Sequence, residues 1–408
     1  MGSLIRFELK KIAGNRAGMI ACAVALVLLV AMSVMNVLTT GAWDLRSGEY
    51  VTGMSAQDAI RYTEEGHAGV LDDERVAADI AAFDLAGNRW SQDAAHLEGL
   101  TGRQIIDEYG MDFWRNVVRV CMSEYYLRLD KVMTDDHGNR AQSLEEAARA
   151  FNAGELADGY LGYFPYTDAE RDYWQAKISA IEWPITFGYA EGWNNIFSWT
   201  SFLALAVIAC CIAVSGVFAG EYQNRTAAIV LPTKRGKRAL PAAKAVAALI
   251  FVNMFWWLCV ACVWVLYLGL LGPDGGGLPF QVFDFMSPYP LTVAQVCLIA
   301  ILTGWVICMG CTAFTLLLSS RLRSTMPVAV APIAIIFLGV VANLVTPLAK
   351  LADLTPMSGL NDMFTGMLSY AAGPIVLDLA SALTVIYALL LVVCLPCAAR
   401  AFRRHQVA

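Results

Sequence analysis

Six long apolar runs limit what this chain can fold into more than any other feature. Residues 17–38 are 22 consecutive positions without a charge, and further runs lie at about 196–219, 244–271, 291–320, 326–346 and 375–399. Each reaches or exceeds the roughly 20 residues that an α-helix needs to cross a bilayer. In hydrocarbon every backbone N–H and C=O must find a partner within the protein, which leaves helices as the spanning form for runs of this length. The expectation is an all-α polytopic membrane protein with six transmembrane helices. With 58% hydrophobic and 16% charged residues, the chain falls well short of the roughly 25% charged content of soluble domains.

The charges divide the chain into two environments. Residues 39–195 carry 28 acids and 13 bases, while the remainder carries 7 acids and 16 bases. Ahead of the first run, Leu4, Ile5, Leu9 and Ile12 fall near one side of a helix and Arg6, Lys10, Lys11 and Arg16 mostly on the other, with Ser3 as N-cap and Gly14-Asn15 as the stop. This pattern suits an amphipathic interfacial helix over 1–16, with its cations on anionic membrane lipids. A signal peptide would have a core of only about 7–15 residues, so 17–38 reads as a retained first span. An inside N-terminus and six spans place both termini in the cytoplasm and the protein in the plasma (inner) membrane. Of the 16 bases outside the insert, all but Lys350 then fall on the cytoplasmic side, as the positive-inside bias requires.

Residues 39–195 contain no spanning run and are expected to form a large, mainly helical extracytoplasmic domain between the first and second spans. Ser143-Leu144-Glu145-Glu146 has capping-box spacing, 112–132 mixes apolar and charged positions at helical intervals, and strand signals are scarce. Asp135-Asp136-His137-Gly138-Asn139 lacks EF-hand spacing and reads as a solvated turn. Cys121 is the domain's single cysteine, so no disulfide forms within it. Trp183, Tyr189, Trp193 and Trp199 suggest an interfacial aromatic belt before the chain re-enters the membrane.

Chemical motifs are absent. There is no GxxxxGK[ST], HExxH or GxSxG, and the four histidines are scattered. The CxxC pairs Cys259/Cys262, Cys308/Cys311 and Cys394/Cys397 lie in apolar helices without a histidine nearby and read as packing residues. The centres of all six runs lack ionisable residues, which ion- or proton-driven transporters usually place there. The sequence therefore points away from an enzyme, from nucleic-acid binding, and from any metal or cofactor bound by this chain. Energy for transport would have to come from another polypeptide.

The segment 220–244 is a basic loop holding Arg225, Lys234, Arg235, Lys237, Arg238 and Lys244 beside one acid, Glu221. Its stretch 226–231 suits a turn or two of helix, stopped by Pro232. The order of interfacial helix, first span, insert, second span, loop and four further spans resembles the membrane (permease) subunit of an ABC exporter, of the type-2 permease class. The residues carrying the resemblance are Glu221, Thr226, Val230-Leu231, Pro232, Arg235 and Lys244; the departure is Arg225, where that class usually has Gly. The resemblance implies a coupling helix around Thr226, Ile229 and Leu231 that docks on an ATP-binding subunit, with Arg225, Lys234 and Arg235 beside it. It also implies that ATP and Mg are bound by that partner and that a second permease half, identical or different, completes a pathway between the second and fifth spans.

For that pathway the candidate residues are Phe202 and Ser215 on the second span and Phe337 and Asn343 on the fifth. The lack of charge in the spans suits an amphipathic or hydrophobic cargo such as a peptide, lipid or drug. Two other functions fit the same pattern: a sensor or immunity module whose outer domain binds an antimicrobial peptide, and a non-transporting membrane scaffold.

Overall fold

The structure is a computed structural model and describes residues 1–135, 137–226 and 239–404. It is mostly helical, and six of its helices are long and apolar enough to cross a membrane. They are Arg16–Thr39, Thr200–Gln223, Ala239–Leu271, Val293–Arg321, Thr325–Ala342 and Leu379–Arg404, called spans 1 to 6. The chain is a multi-pass membrane protein. It divides into a membrane unit, Met1–Met32 with Ile196–Leu266 and Cys297–Ala408, and an insert unit, Ser33–Asn195 with Tyr267–Val296. The segment 267–296 thus joins the insert unit, although the sequence pattern assigns it to the membrane domain.

In the membrane unit an amphipathic helix, Gly2–Ala13, precedes span 1. It starts without a side-chain cap: Met1 C=O accepts the Leu4 and Ile5 N–H groups, so Ser3 is inside the helix rather than capping it. Spans 2 and 4 are the interior ones, with 72% of each apolar window buried, against 28%, 22% and 28% for spans 1, 5 and 6. Small residues permit the close approaches expected between membrane helices. A Cβ at Gly18 of span 1 would lie 2.7 Å from the Ala213 Cα of span 2, and one at Gly310 of span 4 would lie 2.6 Å from the Tyr387 carbonyl oxygen of span 6. Cys210, Cys211, Cys259 and Cys308 are buried, in keeping with a packing role.

Three span boundaries differ from the hydropathy reading in ways that matter below. Glu191–Ser198 forms its own helix, so span 2 begins at Thr200 and runs to Gln223, which places Glu221 in its last turn instead of after it. Span 3 begins at Ala239, and Lys244 lies within the helix. Residues 375–378 pair with 369–372 as an antiparallel hairpin, and span 6 starts only at Leu379. Hydropathy weighs side chains and is blind to where backbone hydrogen bonding changes partner.

Span 2 is interrupted at Ser215, between Ala204–Val214 and Gly216–Gln223. Ser319 of span 4 covers the break: its hydroxyl donates to Ser215 C=O at 2.7 Å and accepts from the N–H groups of Phe218 and Ala219 at 3.0 and 2.9 Å. Backbone groups released at a kink in lipid need such a replacement.

The insert unit is built on two cores. One joins Leu71, Val76, Tyr125, Leu129, Leu144, Ile185 and Phe187, with Val282 and Phe285 from the second segment. The other gathers Leu45, Leu97, Ile105, Phe113 and Val118 around Trp114, whose indole N–H donates to Leu45 C=O at 3.0 Å. The expected helix over 112–132 is broken at Ser123 and contains a π-helical turn at Trp114–Val118. Ser143 does cap the helix Leu144–Asp158, accepting from Glu146 N–H at 3.1 Å, while Glu146 reaches back to the N–H of Gln142 and leaves the capping box half made. Two short antiparallel pairs, Gly41–Asp44 with Glu49–Thr52 and Gly69–Val70 with Thr186–Phe187, add strand structure that the sequence does not announce. Runs of two to four residues are too brief to display an alternation. In the expected turn at 135–139 the Asp135 carboxylate accepts from the N–H groups of His137 and Asn139, and Asp136 lies outside the described residues.

The aromatic residues of the expected belt make specific contacts. Trp183 packs against the first core. Tyr189 donates to Leu271 C=O at 2.8 Å and Trp193 to Pro273 C=O at 2.9 Å, tying the two segments of the insert unit together.

Candidate functional site

The site grows from one carboxylate on an otherwise apolar helix stripe. Leu4, Glu8 and Ile12 succeed one another at intervals of four, so Glu8 shares the face that turns inward, and it is 4% exposed. A carboxylate cannot be buried at tolerable cost without a charge partner. The partner is Lys244 of span 3, fully buried, whose Nζ lies 2.8 Å from Glu8 Oε2 and 2.8 Å from Glu221 Oε1. Lys11, one turn after Glu8 and half exposed, also donates to Glu221 Oε1. The Thr226 hydroxyl donates to Glu221 Oε2.

Two acids and two bases thus balance in a chain running Glu8, Lys244, Glu221, Lys11. It links the amphipathic helix to the last turn of span 2 and the first turns of span 3, the two spans that flank the basic loop. Charge-assisted hydrogen bonds of this kind are roughly twice as strong as neutral ones, and inside a protein they act as fixed ties between elements.

Beside the network lies a cavity of about 490 Å³. Glu8, Lys11 and Asn15 line one side; Ser215, Gln223 and Asn224 of the span 2 segment line another; Thr325, Met326 and Ala329 of span 5 close it. Spans 2 and 5 pack directly on each other in this unit.

Of the loop residues named from sequence, Glu221 is the hub, Thr226 is bonded to it, and Arg225 is exposed with φ of +56°. That left-handed backbone costs a side chain roughly 1–2 kcal/mol and is the conformation glycine adopts freely. It gives a physical reason for Gly at the position where this sequence departs from the permease pattern. Ile229, Leu231, Pro232, Lys234 and Arg235, and with them the expected coupling helix beyond Thr226, lie outside the described residues.

The four pathway candidates are dispersed. Phe202 stacks on Trp199 with ring centroids 4.4 Å apart. Ser215 sits at the span 2 break and lines the cavity. Phe337 is 45% exposed on the outward face of span 5, and Asn343 donates to Asp353 at 3.0 Å. Of the four, only Ser215 lines that cavity. Glu8 is the site residue that the sequence reading passes over, and Lys11, read there as a lipid-facing cation, pairs with Glu221 instead. The signal for Glu8 was present, as the one acid on the apolar stripe of the amphipathic helix.

The insert unit holds its own perturbed groups. His67, 7% exposed, stacks on Tyr125 with centroids 4.4 Å apart, and burial followed by the charge of Arg119 pushes its pKa down to about 4. Burial and then the Glu191 charge raise Glu64 well above the usual carboxylate range. Burial raises Glu191 too, although Asn194 and Asn195 donate to it.

Comparison with family models, with curated proteins and with solved structures finds no match to this chain.

Proposed function

We propose that this chain is the permease subunit of an ATP-driven ABC exporter, moving an amphipathic or hydrophobic cargo and driven by a separate ATP-binding subunit. In this reading the basic loop and both termini are cytoplasmic, the insert unit is extracytoplasmic, and a second permease half completes the pathway. The chain itself is not an enzyme; Mg and ATP belong to the partner.

One observation carries the reading: the buried Glu8–Lys244–Glu221–Lys11 network joins the amphipathic helix to spans 2 and 3 on both sides of the loop. A loop that receives mechanical work must be anchored to what it moves, because force is transmitted only through elements that shift as a body. Topogenic charges need only be near the span ends and gain nothing from burial. Lys244 and Glu221 are buried, bonded and mutually neutralised, as a coupling element requires.

The test is purification of the tagged chain from its native membranes in mild detergent. The expected result is a stoichiometric complex with an ATP-binding polypeptide, ATP hydrolysis by that complex, and none by the chain stripped of it. A chain that purifies alone under every mild condition, or that hydrolyses ATP by itself, overturns the reading.

A further inference from the structure

The cavity beside the charge network has an electrostatic character that the coupling reading does not use. We propose that it binds the headgroup of a zwitterionic phospholipid carrying a primary ammonium, as in phosphatidylethanolamine, taken from the leaflet on the side of the basic loop.

Two ionised side chains of opposite sign line the cavity, Glu8 and Lys11, one turn apart on the amphipathic helix. Each has a buried counter-ion behind it, Lys244 for Glu8 and Glu221 for Lys11. The site therefore has no net charge and presents one acceptor pole and one donor pole. A purely anionic ligand would meet Glu8, and a simple cation would meet Lys11. A ligand with both signs a few bonds apart is complementary to both. The carboxamides of Asn15, Gln223 and Asn224 add N–H donors suited to phosphate oxygens.

Apart from Ser215 and Thr325, the rest of the wall is apolar, including Ile12, Val217, Met326 and Ala329. Met326 is 75% exposed at the start of span 5, so acyl chains have an apolar surface to follow out of the cavity. At about 490 Å³ the space lies within the range of small-ligand sites, roughly 300–1,000 Å³. Its walls run along span 2 from Ile212 to Gln223 and on to Asn224, with Ala17 of span 1 and the first turns of span 5, and they end at the amphipathic helix in the interface. That is the depth at which hydrocarbon gives way to headgroups, and an amphiphile enters there laterally. The primary ammonium matters because its three N–H groups can donate to a carboxylate. A trimethylammonium has none, and a glycerol headgroup has no cation. None of this requires that an ATPase dock on the loop.

The experiment uses the full chain in nanodiscs of equal mole fractions of phosphatidylethanolamine, phosphatidylcholine and phosphatidylglycerol, re-extracted in detergent, with retained lipid measured by mass spectrometry. The expected result is enrichment of phosphatidylethanolamine by about tenfold over each of the others, a difference of about 1.4 kcal/mol. The enrichment should be lost in Ala329→Trp, which fills the cavity, and in the double variant Glu8→Gln/Lys244→Met, which removes the carboxylate acceptor for the ammonium together with its buried counter-ion. The melting temperature of each variant reports folding, and if Ala329→Trp does not fold the double variant decides. Equal retention of the three lipids, or enrichment surviving in a folded variant, overturns the proposal. A further arm adds water-soluble glycerophosphoethanolamine: displacement of the lipid at comparable concentration means that the site recognises the free headgroup, and the lipid assignment falls.

Discussion

Lys244 Nζ lies 2.8 Å from Glu8 Oε2, joining residues 236 positions apart in a contact with almost no solvent exposure on either side. Removing one partner of a buried ion pair leaves an uncompensated charge, at a cost of about 3–5 kcal/mol. Lys244→Met should therefore sharply lower the thermal stability of the detergent-solubilised chain. Adding Glu8→Gln should recover part of the loss, since the stranded carboxylate is then neutral. Additive losses in the two single variants and the double variant, read by fluorescence-detected size exclusion after heating, would show that the two groups are uncoupled.

Arg225 offers the opposite sign. Its φ of +56° is relieved by glycine, so Arg225→Gly should be stabilising by about 1 kcal/mol despite the lost charge. Arg225→Ala removes the charge and keeps the strain, and should show no gain. If Gly and Ala variants melt together, the backbone at 225 is unstrained and the comparison with the permease pattern loses its physical basis.

The pH response of the insert unit follows from His67. Its unfolded pKa is near 6.5 and its folded value about 4, so the unfolded chain binds the proton first. Stability is lost as pH falls from 6.5 towards 4 and levels off below that. Glu64 and Glu191, raised in the folded state, act with the other sign and favour the folded form as they take up protons. His67→Phe keeps the ring stack on Tyr125 and removes one titration, so its melting temperature should fall less than that of the parent chain over this window. Parallel pH profiles would mean that His67 takes up its proton equally in the folded and the unfolded chain.

The loop itself can be tested although 227–238 lie outside the described residues. Under the coupling reading, Ile229→Asp or Leu231→Asp places an unpaired charge in a docking contact and should release the ATP-binding subunit, at a cost of several kcal/mol. Neutralising Lys237 or Arg238 on the rim should cost about 0–1 kcal/mol and leave the complex intact. Co-purification at equal membrane levels reads the difference. Asp variants that still hold the ATPase would reduce the loop to a topogenic element.

The six spans were legible because a run of about 20 apolar residues is a one-dimensional property: it needs no knowledge of neighbours. The amphipathic helix and the Ser143 cap were legible for the same reason, since their signals lie within a turn or two. Where a span ends was not legible. Residues 196–198 close a separate helix and 375–378 pair with 369–372 in a local hairpin, although hydropathy counts both stretches as span. The same holds for the charge network. Glu221 and Lys244 stood out as loop charges, but only folding brings Glu8 and Lys11 from the start of the chain to them. A sequence displays which side chains carry charge. Which charges are buried, and therefore must pair, depends on long-range packing that removes water from around them, and that was decided by the tertiary structure alone.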